Sequence, residues 1–304
     1  MVEDSIRGKG ALDAFLNLFS LITLGWMSIS IGIILFQIID KFLNPEYLDF
    51  NNFSQSGLKI GIASVLIITP IFLLVIGLLH KNYKNKELNP ESGIYRWLTY
   101  LVLLITALNI VGRLIQLVFQ FLDGEYTIAS VLKILVVLLI AGGIFGYYWY
   151  DLKRTDYGAR SMVSVVFFDV IIIIAIAAIV GGFFISDSPA TARAKKQDVK
   201  RVEHLSGIHQ TLISEYSSND ELPVDLSAPK FSNYRDPETG DGYTYKVIEG
   251  KDYELCAEFA LAVDEDSRER FFIGSEDWYF HEAGYQCFQQ SATDINRKLS
   301  EPIR

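Results

Sequence analysis

From Met162 to Ile185 the chain reads MVSVVFFDVIIIIAIAAIVGGFFI, a run in which the one charged residue is Asp169. A helix of that length rises far enough to cross the roughly 30 Å of hydrocarbon in a bilayer. Lipid offers the backbone no hydrogen-bond partners, so such a run must satisfy its own N–H and C=O groups as a helix. Four more stretches of the same kind precede it: Leu18–Ile39, Leu58–Leu79 (interrupted by Thr69-Pro70), Trp97–Phe121 and Ile128–Tyr150. Leu18–Ile39 is longer than the apolar core of a secretory signal and lacks an evident cleavage site, so it is read as a retained span. A proline inside a spanning helix is tolerated where neighbouring helices satisfy the freed carbonyl.

After Ser186-Asp187-Ser188-Pro189 the character changes to ARAKKQDVKRVEHLSGIHQTLISEY. Val199, Val202, Leu205, Ile208, Leu212 and Ile213 recur there at helical spacing, opposite Lys, Arg and Glu, as on an amphipathic helix packed on one side. Tyr243–Ile248 and Tyr253–Phe259 are strand-like runs joined through Glu249-Gly250-Lys251-Asp252, and Gly284–Phe288 is a last short strand. The expected fold is an α-helical membrane bundle of five transmembrane helices plus a small α+β soluble domain, a long helix on an antiparallel sheet. The expected divisions are a four-span domain over 1–160, a fifth transmembrane helix over 161–187 and a soluble domain over 188–304.

Charge divides at the same place. Residues 1–187 carry 13 basic and 14 acidic side chains, and the remainder 14 and 22, within a net charge of −9. An acidic tail is repelled by nucleic acid and by anionic headgroups. Basic residues cluster at Arg7/Lys9, at Lys81, Lys84, Lys86 and Arg96, and at Lys153, Arg154 and Arg160. The positive-inside rule then places the N-terminus in the cytoplasm and, after five spans, the tail outside the cytoplasmic membrane. Trp97/Tyr100 and Tyr147–Tyr150 are expected to form an aromatic belt at the inner interface. Cys256 and Cys287 both lie in the tail; they are either a disulfide or two reduced buried thiols, and an outside location favours the bond.

Inside the spans, Asn109, Arg113, Gln116 and Gln120 share one face of the third helix, where Arg113 is placed to pair with Asp40, Asp123 or Glu125. Asp169 sits too low to reach Arg113. Such a stripe glues helices together or, as the alternative, lines a path for a small solute or ion. Gly142/Gly146 and Ala177/Gly181, with Ala178/Gly182 beside the latter, are small-residue pairs that permit close helix packing. In the tail, Asp236, Glu238 and Asp241 form a turn that could hold Ca²⁺. The four histidines make no constellation, and neither a nucleophile elbow, a P-loop, HExxH nor CxxC is present, so no enzyme and no cofactor is expected.

NIVGRLIQLVFQFLDGEYTIASVLKILVVLLIAGGIFGYYWYDLK (Asn109–Lys153), with the Thr69-Pro70-Ile71-Phe72 kink, resembles a bacterial membrane domain of unknown function over about the first 155 residues. The resemblance brings no activity with it. The helix ARAKKQDVKRVEHLSGIHQTLISEY with Leu222-Pro223, followed by DPETGDGYTYKVIEGKDYELCAEF, resembles the headpiece of type IV pilins and pseudopilins. Asp169 with VIIIIAIAAIV is similar to the acidic residue and stalk of those proteins. Ser164 stands where processing would need a glycine, and four spans lie upstream, which implies a permanent anchor. The expected role is a membrane-anchored extracytoplasmic structural or interaction module, partnered by the bilayer and by another extracytoplasmic or membrane protein.

Overall fold

In the computed structural model of the chain, residues 2–43, 53–85, 93–124, 127–154, 161–263 and 277–292 are described. The chain divides into two compact units, Met1–Ser186 and Asp187–Arg304, so the fifth span belongs with the four before it.

The first unit contains α1 (Val2–Leu43), α2 (Gln55–Lys84), α3 (Gly93–Asp123), α4 (Ile128–Leu152) and α5 (Met162–Ile185). Each has a stretch long and apolar enough to cross a membrane. Three of the starts are written in hydroxyl side chains. Ser54, Thr127 and Ser161 accept from the backbone N–H three residues on and satisfy donors that the first turn leaves open. Bonds between helices fix their directions. Asn17 near the start of α1 meets Tyr83 at the end of α2, and Gln37 near the end of α1 accepts from the Ser54 N–H where α2 begins. Gln55 donates to Ile185 O at the end of α5, and Lys133 near the start of α4 pairs with Asp40 near the end of α1. The helices therefore alternate. One end of the bundle collects the starts of α1, α3 and α5 and the ends of α2 and α4.

The bundle's interior is built from Met27, Ile31 and Ile34 of α1, Leu58, Val65 and Phe72 of α2, and Ala175 and Ala178 of α5. Close approach is made at Gly61, where a Cβ would stand 2.9 Å from Ile34, and at Gly182, where it would stand 2.9 Å from Ile62. Gly142 and Gly146 face open space, Gly181 has Ile38 within 3.2 Å, and Ala177 is exposed, so Ala178/Gly182 is the pair at the tight contact. Spacing alone finds small residues on every side of a helix; only the neighbour's position selects one side. Outward-facing residues are large and apolar, with Phe184 86% and Met162 83% exposed, a surface that lipid rather than water covers.

The second unit has α6 (Pro189–Asn219), β1 (Thr244–Glu249), β2 (Asp252–Phe259) and β3 (Gly284–Ser291), with short 3-10 turns at Pro229–Phe231 and Asp277–Phe280. Ser188 caps α6 ahead of Pro189, and Asp220 in the left-handed conformation closes it, its N–H on Tyr216 O. The sheet is antiparallel in the order β1-β2-β3, with Cys256 directly opposite Cys287. Leu205, Ile208 and Leu212 of α6 pack into one core with Tyr253, Leu255 and Phe259 of β2, Phe288 of β3 and Trp278. The buried side of α6 differs from the expected stripe in one respect. Val199 is 60% exposed, and Asp198, Arg201 and His209 are buried with the leucines instead. Charge made those three look like solvent-facing positions, but each has a partner.

Candidate functional site

Where α1, α3 and α5 begin and α2 and α4 end, the five helices line a half-open cavity of about 330 Å³, to which every one of them contributes. α1 brings Asn17 and Ser20, α2 His80 and Tyr83, and α3 Tyr95. α4 and the residues just past it bring Tyr147, Tyr148, Asp151 and Arg154; α5 brings Ser164, Phe168 and Asp169.

Two polar clusters stand in its walls. In the first, Asn17 Nδ2 donates to Asp13 Oδ1 at 2.8 Å and to the Tyr83 hydroxyl at 3.0 Å, while that hydroxyl returns a bond to Asn17 Oδ1 at 3.2 Å. Asp13 and Asn17 are both buried. In the second, the Tyr95 hydroxyl donates to the buried Asp151 carboxylate, and Arg154 lies 3.8 Å from its other oxygen and 3.5 Å from Ser164 Oγ. The wall is also aromatic, with Tyr147 and Phe168 meeting edge-on at 5.7 Å. The cavity thus combines apolar rings with a few convergent polar groups, the usual make-up of a small-molecule site.

Sequence reasoning placed only Asp169 of these residues as an intramembrane candidate. Tyr147–Tyr150 are expected from the sequence to form an interface belt. Trp149 and Tyr150 do turn outward, but Tyr147 and Tyr148 turn inward onto the cavity, because four consecutive helical residues point in all directions. Asp151, at the polar end of a span, read as a boundary. The signal that could have found the site is the presence of Asp13/Asn17, Tyr83, Tyr95 and Asp151 at the same end of alternating helices.

The stripe on α3 lies elsewhere. Arg113 donates to Gln116 Oε1 at 2.6 Å on its own helix, and Asn109 returns to Ile105 O at 2.9 Å. Gln120 Oε1 is buried with no hydrogen-bond partner among the described residues. Asp40, expected as a partner for Arg113, pairs with Lys133 at 2.5 Å, since α4 and not α3 brings a cation to the end of α1. Glu125 falls outside the described residues.

In the soluble unit, the turn that could hold Ca²⁺ has the Arg201 guanidinium against two of its carboxylates. Arg201 binds Asp236 through two bonds (2.6 and 3.1 Å), Glu238 at 3.2 Å and Asp198 at 2.8 Å. Asp236 also accepts from the Glu238 and Thr239 N–H groups, and Asp198 accepts from the Ala260 and Leu261 N–H groups. Burial works against charge on Asp236, but Arg201 and those N–H donors outweigh it and hold the carboxyl below the usual range. Asp236 and Glu238 thus have their cation in Arg201. Asp241 contributes backbone, its carbonyl accepting from the Asp236 N–H. Cys256 and Cys287 are joined in a disulfide, their Cα atoms 4.0 Å apart. Glu254 beside them is the one group of three potential metal ligands among the described residues, and both thiols in it are spent in that bond.

The architecture is therefore that of a multi-pass membrane protein carrying a small α+β domain. Residues 13–182 match the Domain of unknown function (DUF5671), more than half of the chain, and the protein belongs to that family. The match runs beyond the first 155 residues through most of α5, and takes in every residue that lines the cavity. No curated protein and no solved structure matches the chain. The soluble unit lies outside the matched residues, and its expected likeness to pilins is not shown by the match.

Proposed function

We propose that the chain sits in a bacterial cytoplasmic membrane with its N-terminus inside and displays the pilin-like soluble unit outside. There the unit acts as a structural or interaction module for another extracytoplasmic or membrane protein, without catalysing a reaction. The observation that carries this reading is the Cys256–Cys287 disulfide in a self-contained acidic unit, since such bonds persist outside the cytoplasm. The end of α5 lies at the opposite end of the bundle from the start of α1, in keeping with the basic loops on the N-terminal side. Single-cysteine labelling on a Cys256→Ser/Cys287→Ser background tests the orientation. An impermeant reagent applied to intact cells is expected to label Ser232→Cys and to spare Ser92→Cys; the reverse pattern overturns the reading.

A second reading, small-solute or ion transport, is favoured by the five-helix cavity more than by the α3 stripe, whose arginine is engaged within its own helix. Flux into liposomes that is lost on Asp169→Asn and kept on Arg113→Leu would support it. No flux from the native chain retires it.

A further inference from the structure

We infer that the cavity at the end of the bundle where α1, α3 and α5 begin binds a small organic cation through its ammonium group, with Asp169 as the counter-charge. The inference concerns the membrane unit alone and does not depend on the role of the soluble unit or on transport.

Of the two carboxylates that line the cavity, only Asp151 has a cation beside it among the described residues. Asp151 is answered by Arg154 at 3.8 Å and by the Tyr95 hydroxyl. Asp169 lines the same space with its side chain exposed, and makes no hydrogen bond or ion pair among the described residues. It lies seven residues into α5, about 10 Å along the helix. In a membrane a charged group at such a depth is costly without a counter-charge, and a cation entering the cavity would supply one.

The walls choose between kinds of cation. Ca²⁺ and Mg²⁺ require several oxygen ligands in a regular shell, and Asp169 offers a single carboxylate beside rings. Tyr147, Tyr148 and Phe168 instead present aromatic surface, and ring faces attract alkylammonium groups through the quadrupole. A volume of about 330 Å³ takes a small organic molecule rather than a bare ion. Arg154 does not oppose this, because it is held against Asp151 and Ser164. The same ammonium chemistry occurs in free amines and in the headgroups of zwitterionic lipids, so the source is left to the experiment.

The probe is choline chloride, added to the full-length protein in nanodiscs of phosphatidylglycerol and titrated calorimetrically against sodium chloride of equal ionic strength. Saturable 1:1 binding of choline is expected, with affinity reduced at least tenfold in Asp169→Asn, largely retained in Asp169→Glu and unchanged in Asn109→Leu. In the native chain, choline is also expected to slow carbodiimide modification of Asp169, read by mass spectrometry, which removes dependence on any variant folding. Nanodiscs of phosphatidylcholine separate the sources. Protection of Asp169 there without added choline assigns the site to a lipid headgroup; protection only on adding choline assigns it to a free amine. Choline that neither binds saturably nor protects Asp169 in either lipid overturns the proposal, as does undiminished binding by a folded Asp169→Asn.

Discussion

Arg201 holds α6, the Asp236 turn and the end of β2 together through one guanidinium. Three of its nitrogens meet carboxylates in a planar fork that a lysine cannot reproduce. Arg201→Ala would leave Asp198 buried and unpaired, with Asp236 mostly buried beside it, and is expected to cost about 3–5 kcal/mol of stability in the soluble unit. Denaturant unfolding checks this, and Arg201→Lys should recover only part of the loss. The same residues predict a response to acid. His204 and His281 are held below the usual imidazole range, chiefly by burial. The folded state resists protonating them, so their contribution is complete above about pH 6.5 and declines as the pH falls below it. Asp236, with its carboxyl held low, contributes above about pH 4 and loses that contribution as the pH drops further. Hydrogen exchange at β2 amides should therefore be flat from pH 8 to about 6.5 after correction for intrinsic rates, then show two steps of loss. Arg201→Ala should remove the second.

Among the elements, α5 and the β2–β3 pair show how local pattern and contact divide the work. Gly182 lies against Ile62 and Ile34, whereas Gly146 meets open space. Gly182→Ala should separate α5 from α1 and α2 and lower stability by about 1–3 kcal/mol. Gly146→Ala should leave it unchanged or raise it by up to about 1 kcal/mol through helix propensity. Thermal unfolding of both variants in detergent distinguishes packing from motif. In the sheet, the Cys256–Cys287 bond spans 31 residues of chain. Constraining that loop in the unfolded state contributes about 3–4 kcal/mol. Cys256→Ser, or reduction of the native chain, should lower the melting temperature of the soluble unit while leaving the helices of the first unit folded. Circular dichroism and limited proteolysis together read the two units separately.

At the scale of the whole molecule, the five spans and the α+β unit were legible because each rests on a local property. A long apolar run has helix as its solution in lipid, and Pro189, the left-handed cap at Asp220 and the Gly250 turn punctuate the remainder where the composition says they should. The hydrophobic side of α6 was half-legible. Leucine and isoleucine spacing located it, but Asp198 and Arg201 belong to that side through partners at residues 236, 260 and 261, far along the chain. The cavity was barely legible, through Asp169 alone. Its bonds link residues 66 apart at Asn17–Tyr83 and 56 apart at Tyr95–Asp151, and each of these, taken alone, is an ordinary polar residue near the end of a span. What the sequence by itself determined was where the chain must be helical in lipid, where it leaves the membrane and which cysteines could meet, because hydropathy and turn chemistry act over neighbouring residues. Which helix ends converge, which glycine lies at a tight contact and which carboxylates line the cavity were decided only by the tertiary structure, because each depends on the position of an atom supplied by another helix.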